Sequence, residues 1–126
     1  MRRSLTRVLE SESGVQVVGE ATDGYAAVRL TERLHPDIVV MDVVLPALSG
    51  IDATRQILQQ HPEMIVIALS VHDCAMYAMR MLRAGARAYV LKDGGGEELV
   101  RAIRAARHGQ TYLSSGIEGL DRAGGS

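Results

Sequence analysis

Pro36-Asp37-Ile38-Val39-Val40-Met41-Asp42 is the stretch on which the fold turns. Proline closes whatever helix precedes it, and the four apolar residues that follow, three of them β-branched, lead directly into a carboxylate. A short run that is apolar at every position reads as a strand covered on both faces, which is the habit of parallel sheets. Similar runs occur at Val15 to Gly19, Ile65 to Leu69 and Ala88 to Leu91. Longer segments of helical period separate them. Asp23-Gly24 opens one in which Ala27, Leu30, Thr31 and Leu34 share a face. Gly50 to Gln60 is a second, with Ile51, Thr54, Ile57 and Leu58 inward and Pro62 just beyond. Asp73 serves as N-cap for Cys74 to Ala84, which Gly85 ends. Glu97-Glu98, after Gly94-Gly95-Gly96, suit the first turn of a last helix that runs to Gly109 with Leu99, Ile103 and Ala106 inward. Arg3 to Glu12 has helical period as well. Strands alternating with helices predict βαβ units and an α/β doubly wound parallel sheet.

Composition narrows the class. The chain has 126 residues, 47% of them apolar, which is enough for one core. With 14 basic and 15 acidic residues the net charge is −1, so no global field favours nucleic acid or an anionic membrane. No apolar run reaches the roughly 18 residues of a membrane span, and Met1-Arg2-Arg3-Ser4-Leu5 leads into a charged segment, so a cytoplasmic location is expected. The single cysteine, Cys74, excludes an internal disulfide and a cysteine-rich zinc site. With four Tyr and no Phe or Trp, base stacking has little to work with.

In open parallel sheets, chemistry collects at the carboxyl ends of the strands. Asp42, Ser70 and Lys92 end three of the predicted strands, which brings a carboxylate, a hydroxyl and an ammonium to one rim. Taken singly each has an ordinary reading: a loop acid, a turn serine, a solvated lysine. Together they suit a phosphoryl group, since a carboxylate is a possible phosphoryl acceptor or hard metal ligand and the lysine offsets its charge. His35, His61 and His108 fall near helix ends without metal spacing. Gly94-Gly95-Gly96 lacks the Walker pattern. No phosphate-cradling loop follows a first strand, which argues against a flavin-binding relative of the same architecture.

The spacing resembles the receiver domain of two-component response regulators, in particular the NarL/FixJ branch. The resemblance is carried by Val17-Val18-Gly19-Glu20-Ala21 with Asp23-Gly24, by Pro36 to Asp42, by Leu45-Pro46 with Gly50, by Arg83-Ala84-Gly85-Ala86 and by Tyr89-Val90-Leu91-Lys92-Asp93. It covers about Arg2 to Ser115 and implies a flavodoxin-like fold. It implies that Asp42 is the phosphoacceptor, taking a phosphoryl group from the phosphohistidine of a sensor histidine kinase or phosphotransfer protein. Ser70 and Tyr89 would be the switch pair, Lys92 the cation on the phosphoryl group, and Val44 and His72 the positions that tune its lifetime. Such a module is not an enzyme beyond self-phosphotransfer and autodephosphorylation. A degenerate receiver that docks partners without phosphorylation is the alternative.

Two departures shape the expectations. The family holds Mg²⁺ with Asp42, the backbone carbonyl of Val44 and a pair of acids at the end of a first strand, and neither that strand nor that pair is found here, so the Mg²⁺ site is expected to be incomplete. The sheet is expected to be truncated by the absence of that central strand. Strands pair at about 4.8 Å, so a gap near twice that would separate Val15 to Gly19 from Ile38 to Met41. After Gly109-Gln110-Thr111-Tyr112-Leu113-Ser114, residues 116–126 are Gly-rich. The expected organisation is therefore a receiver domain over 1–115 and a flexible tail over 116–126, with no output domain and no direct DNA binding. Met76, Met79 and Met81 cannot all lie on the inward face of their helix, which Ala78 and Leu82 set, and the exposed surface that the outward Met joins is a candidate for a homodimer or partner contact.

Overall fold

The computed structural model describes residues 9–10, 14–71, 73, 75–114 and 117. Within them the chain runs α1 (Gly24–Leu34), β1 (Ile38–Asp42), α2 (Gly50–Gln60), β2 (Ile65–Ser70), α3 (Ala75–Ala84), β3 (Ala88–Leu91), a 3₁₀ turn (Lys92–Gly94), α4 (Gly95–Arg107) and β4 (Tyr112–Leu113). The four strands form one parallel sheet in the order β1-β2-β3-β4. Ile38 lies opposite Ile65, Asp42 opposite Leu69, and Ser70 opposite Leu91.

The central strands β2 and β3 are buried on both faces. Val66 and Ala68 point with Met41 and Tyr89 into a core closed by Ala53 and Ile57 of α2 and Ala78 and Met81 of α3. Their neighbours Ile67 and Leu69 point the other way, with Ala88 and Val90, onto Leu99, Ala102, Ile103 and Ala106 of α4. This two-residue alternation splits one hydrophobic run between two cores.

α1 and α2 begin where the sequence places them. The Asp23 carboxylate accepts from the Ala26 N–H at 2.8 Å, and Ser49 Oγ accepts from the Asp52 N–H at 3.2 Å, each meeting one of the unpaired donors of a first turn. Gly50 is required by close approach: a Cβ there would sit 1.9 Å from the carbonyl oxygen of Asp42, so α2 starts against the end of β1. Gly24 stands in the same relation to the Leu48 carbonyl.

Three expectations are corrected. Val15 to Gly19 does not form a strand. Residues 15–20 have no regular structure, although half-buried Val15 and Val17 alternate with exposed Gln16 and Val18 as in an edge strand. An extended segment becomes a strand only with a ladder partner, and facing this one is a cleft of about 690 Å³ whose other wall is β1. The cleft stands where the sequence places a gap. The last helix begins at Gly95 and ends at Arg107, because glycines are tolerated in a first turn whose N–H groups have no intrahelical partner. On α3 the inward residues are Ala78 and Met81, with Leu82 half-buried and Met76 exposed. α3 itself starts at Ala75, one residue later than expected, within the usual fraying of helix ends.

Of the opening helix over 3–12, only Leu9 and Glu10 are among the described residues, and both are helical. His72 and Cys74 lie outside them, as does the tail over 116–126 apart from Ile117, which is buried and packs with Met41 and Tyr89 in the core between the sheet and α2–α3.

Candidate functional site

β1, β2 and β3 deliver Asp42, Ser70 and Lys92 to the carboxyl rim of the sheet. Asp42 is the last residue of β1, Ser70 the last of β2, and Lys92 follows Leu91, the last of β3. The register that sets Ser70 beside Leu91 and Asp42 beside Leu69 comes from the ladder, so three residues up to 50 positions apart share one edge.

Lys92 Nζ lies 2.9 Å from Asp42 Oδ1, with the two side chains 24% and 27% exposed. The contact is an ion pair without hydrogen-bond alignment, and among the described residues the buried Oδ1 has no hydrogen-bond partner. A lysine is a compact charge on a flexible stem, able to follow the oxygen if charge there grows. Ser70 is buried at the rim. Tyr89 is fully buried one strand away, opposite Ala68 and below the rim, its ring in the core between the sheet and α2–α3. The structure therefore joins Asp42 to Lys92 directly and places Ser70 at the end of the neighbouring strand. Val44 sits in the loop beyond Asp42 with its side chain 63% exposed. His72 lies outside the described residues.

The loop after β1 has a tight shape of its own. Ala47 adopts φ 68 between Pro46 and Leu48, and the Leu48 N–H donates to the Pro46 carbonyl at 2.8 Å, closing a three-residue turn. The Gly50 N–H donates to the Val43 carbonyl at 2.9 Å, so the loop leaves the rim and returns to it within eight residues of Asp42.

Receiver domains typically bind Mg²⁺, an ion that prefers near-octahedral oxygen coordination. Among the described residues no group of three acidic, histidine or cysteine side chains is placed to hold a metal. Asp42 offers a carboxylate at the rim, and Lys92 already occupies the side of its Oδ1. The described residues do not fit an Mg²⁺ site.

A second polar cluster escaped the sequence reading. The Leu91 N–H donates to Ser114 Oγ at 2.9 Å. Ser114 in turn donates to one oxygen of Glu98, and the Tyr112 hydroxyl donates to the other at 3.1 Å. Tyr112 first, and then Glu98 and Glu97, hold the Arg101 guanidinium above its ordinary range. The cluster fastens β4 to β3 and α4. Its signal in the sequence is faint: Tyr112 and Ser114 are two apart, as residues on one face of a strand must be, but a two-residue strand shows no period. His35 and His61, at the C-caps of α1 and α2, meet edge to face with ring centroids 5.3 Å apart, a packing contact between helix ends.

Comparison with known proteins agrees with this geometry. The family model for the response regulator receiver domain matches residues 1–104. The response regulator GacA of Pseudomonas viridiflava is 40% identical over 117 residues, 93% of this chain and 55% of that protein. A two-component response regulator of the LuxR family from Aurantimonas sp. SI85-9A1 is 36% identical and superposes with a TM-score of 0.92, covering 99% of this chain and 90% of that one. The response regulator domain of Thermotoga maritima CheB is 32% identical with a TM-score of 0.78, over 86% of this chain and 88% of that one. The chain spans about half the length of the curated relatives it matches, and the expectation that it makes no direct contact with DNA gains no support from them. No helix among the described residues is long and apolar enough to cross a membrane. The chain belongs to the response regulator receiver domain family.

Proposed function

We propose that this chain is a phosphoacceptor module of two-component signalling in which Asp42 receives a phosphoryl group from the phosphohistidine of a sensor histidine kinase or phosphotransfer protein. The observation that carries the reading is the 2.9 Å approach of Lys92 Nζ to Asp42 Oδ1 at the carboxyl rim. In the transfer, a carboxylate oxygen of Asp42 bonds to phosphorus, the P–N bond breaks, and its electron pair returns to the imidazole, which is then free to take up a proton. The product is an acyl phosphate. It carries nearly two negative charges and three acceptor oxygens, and Lys92 neutralises one of them. Ser70, at the end of the adjacent strand, is the hydroxyl that answers a second oxygen, and rearrangement around it and Tyr89 carries the signal to the core beneath α3. Val44 and His72 are the positions that set how fast water removes the phosphoryl group.

Incubating the protein with acetyl phosphate, with and without Mg²⁺, and weighing it intact tests this. A single phosphoryl adduct in the wild type that disappears in Asp42→Asn is the expected result. A second reading, a receiver that docks partners unphosphorylated, is favoured by the lack, among the described residues, of three acidic, histidine or cysteine side chains placed to hold a metal. Wild-type protein that stays unmodified under both conditions selects it.

A further inference from the structure

We propose that Ser114 is a positioning residue for the transfer: held by Glu98, it fixes through the Leu91 backbone the turn from which Lys92 reaches Asp42. The inference rests on the reading of Asp42 as phosphoacceptor and adds what sets the cation beside it.

Lys92 is the one lysine among the chain's 14 basic residues. Its charge sits on a flexible stem, so the place of the ammonium depends on where the backbone releases that stem. β1 and β3 flank β2 and so lie about twice 4.8 Å apart. Asp42 and Lys92 span that distance between them to meet at 2.9 Å. Little slack remains to absorb a shift of the Lys92 backbone. Yet Lys92 has already left the strand: it opens the 3₁₀ turn Lys92–Gly94, whose cap residue Leu91 supplies no side-chain hydrogen bond.

Support comes from β4. The pairing of β3 with β4 ends at Tyr89 opposite Leu113, and the Ser114 N–H then donates to the Tyr89 carbonyl at 3.0 Å. At the next rung the ladder continues through a side chain, where the Leu91 N–H donates to Ser114 Oγ at 2.9 Å. This is the last rung before Lys92. Ser114 Oγ donates in turn to Glu98, in the first turn of α4. One hydroxyl therefore bonds the chain on both sides of the segment from Lys92 to Glu97. Leu91 and Ser114 are both buried, so water cannot take over the Leu91 N–H if the hydroxyl is removed. A turn without that rung is free to shift, and misplacement by a full ångström costs about a hundredfold in rate.

The single lysine supplies the test. Isotope-labelled lysine gives one ε-methylene signal in a nuclear magnetic resonance spectrum, and its relaxation reports how firmly the stem is held. In the unphosphorylated full chain the stem is expected to be restrained, and in Ser114→Ala to move as freely as a solvated lysine. Ile103→Val, which loosens α4 in its core without touching the hydroxyl, should leave the stem as in the wild type. The phosphoryl adduct from acetyl phosphate should form on the order of tenfold more slowly in Ser114→Ala than in the other two proteins. If Ser114→Ala does not fold, Ser114→Cys, which puts a weak acceptor in the same place, replaces it. The inference is overturned by a stem equally restrained without the hydroxyl, by a stem equally freed in Ile103→Val, or by an adduct that forms at the wild-type rate. Wild-type protein that takes up no phosphoryl group overturns the phosphoacceptor reading instead, and the lysine signals alone then decide whether Ser114 positions the Lys92–Asp42 pair.

Discussion

The sheet has two edges, and the molecule treats them differently. At one edge β4 is two residues long, is fastened through Ser114, Tyr112 and Glu98, and offers little to a newcomer. At the other, β1 is five residues long, apolar, and faces a cleft. Short, tied edges are how proteins avoid unwanted pairing, whereas a long apolar edge invites it. The rim of Asp42, Ser70 and Lys92 lies between the two, so among the described residues its central strands β2 and β3 are held on both sides while β1 is held on one. Asp42, the candidate acceptor, is on the less supported strand.

This comparison can be broken by truncating matched side chains. Ile67 is fully buried in the middle of β2, whereas Ile38 packs on the same core but borders the cleft. Ile67→Ala should cost about 4 kcal/mol, since a closed site leaves a cavity that cannot collapse, and Ile38→Ala about 1 kcal/mol, since part of its surface is already outside the packing. Urea denaturation of the two variants measures the difference. Equal costs would mean that the β1 edge is as closed as the centre of the sheet.

The next effect is at the tied edge. Glu98→Ala removes the acceptor of both Ser114 and Tyr112 and leaves the buried Ser114 hydroxyl with an unanswered donor, which should cost about 2 kcal/mol. Hydrogen exchange gives the location: the amides of Leu91 and Ser114, which bond to Ser114 Oγ and to the Tyr89 carbonyl, should lose protection while those of β1 and β2 keep theirs. Uniform loss across the sheet would show that the cluster supports the whole fold rather than one edge.

The contrast also explains what the sequence made legible. Ile38 to Met41, Ile65 to Leu69 and Ala88 to Leu91 were readable as strands because burial on both faces leaves an unbroken apolar run, and their ends named Asp42, Ser70 and Lys92. Helix α2 was readable to the residue because glycine and proline bracket it. Val15 to Gly19 is rich in valine like the true strands and is not one, since composition reports the preference for extended backbone and only a neighbour makes a ladder. β4 failed in the opposite direction: its two residues have no periodicity, and a parallel neighbour holds them in place. The 2.9 Å ion pair was implied by the strand ends, but the Glu98 cluster joins residues whose spacing gives no local signal.

Tyr112→Phe is the smallest change and the most discriminating. It deletes one hydroxyl from the cluster, keeps the ring, and leaves Ser114 bonded to both Glu98 and the Leu91 N–H. Tyr112 is half-buried, so the Glu98 oxygen that loses its donor can turn to water, and the cost should be about 1 kcal/mol or less. If Ser114 is the anchor, the Leu91 amide keeps its protection in this variant and loses it in Glu98→Ala. If the two variants expose Leu91 equally, the phenol is the anchor and Ser114 only follows it. The same pair of measurements decides how the edge is held, because the Ser114 side chain bonds the backbone of β3, whereas the Tyr112 side chain ties β4 to the helix.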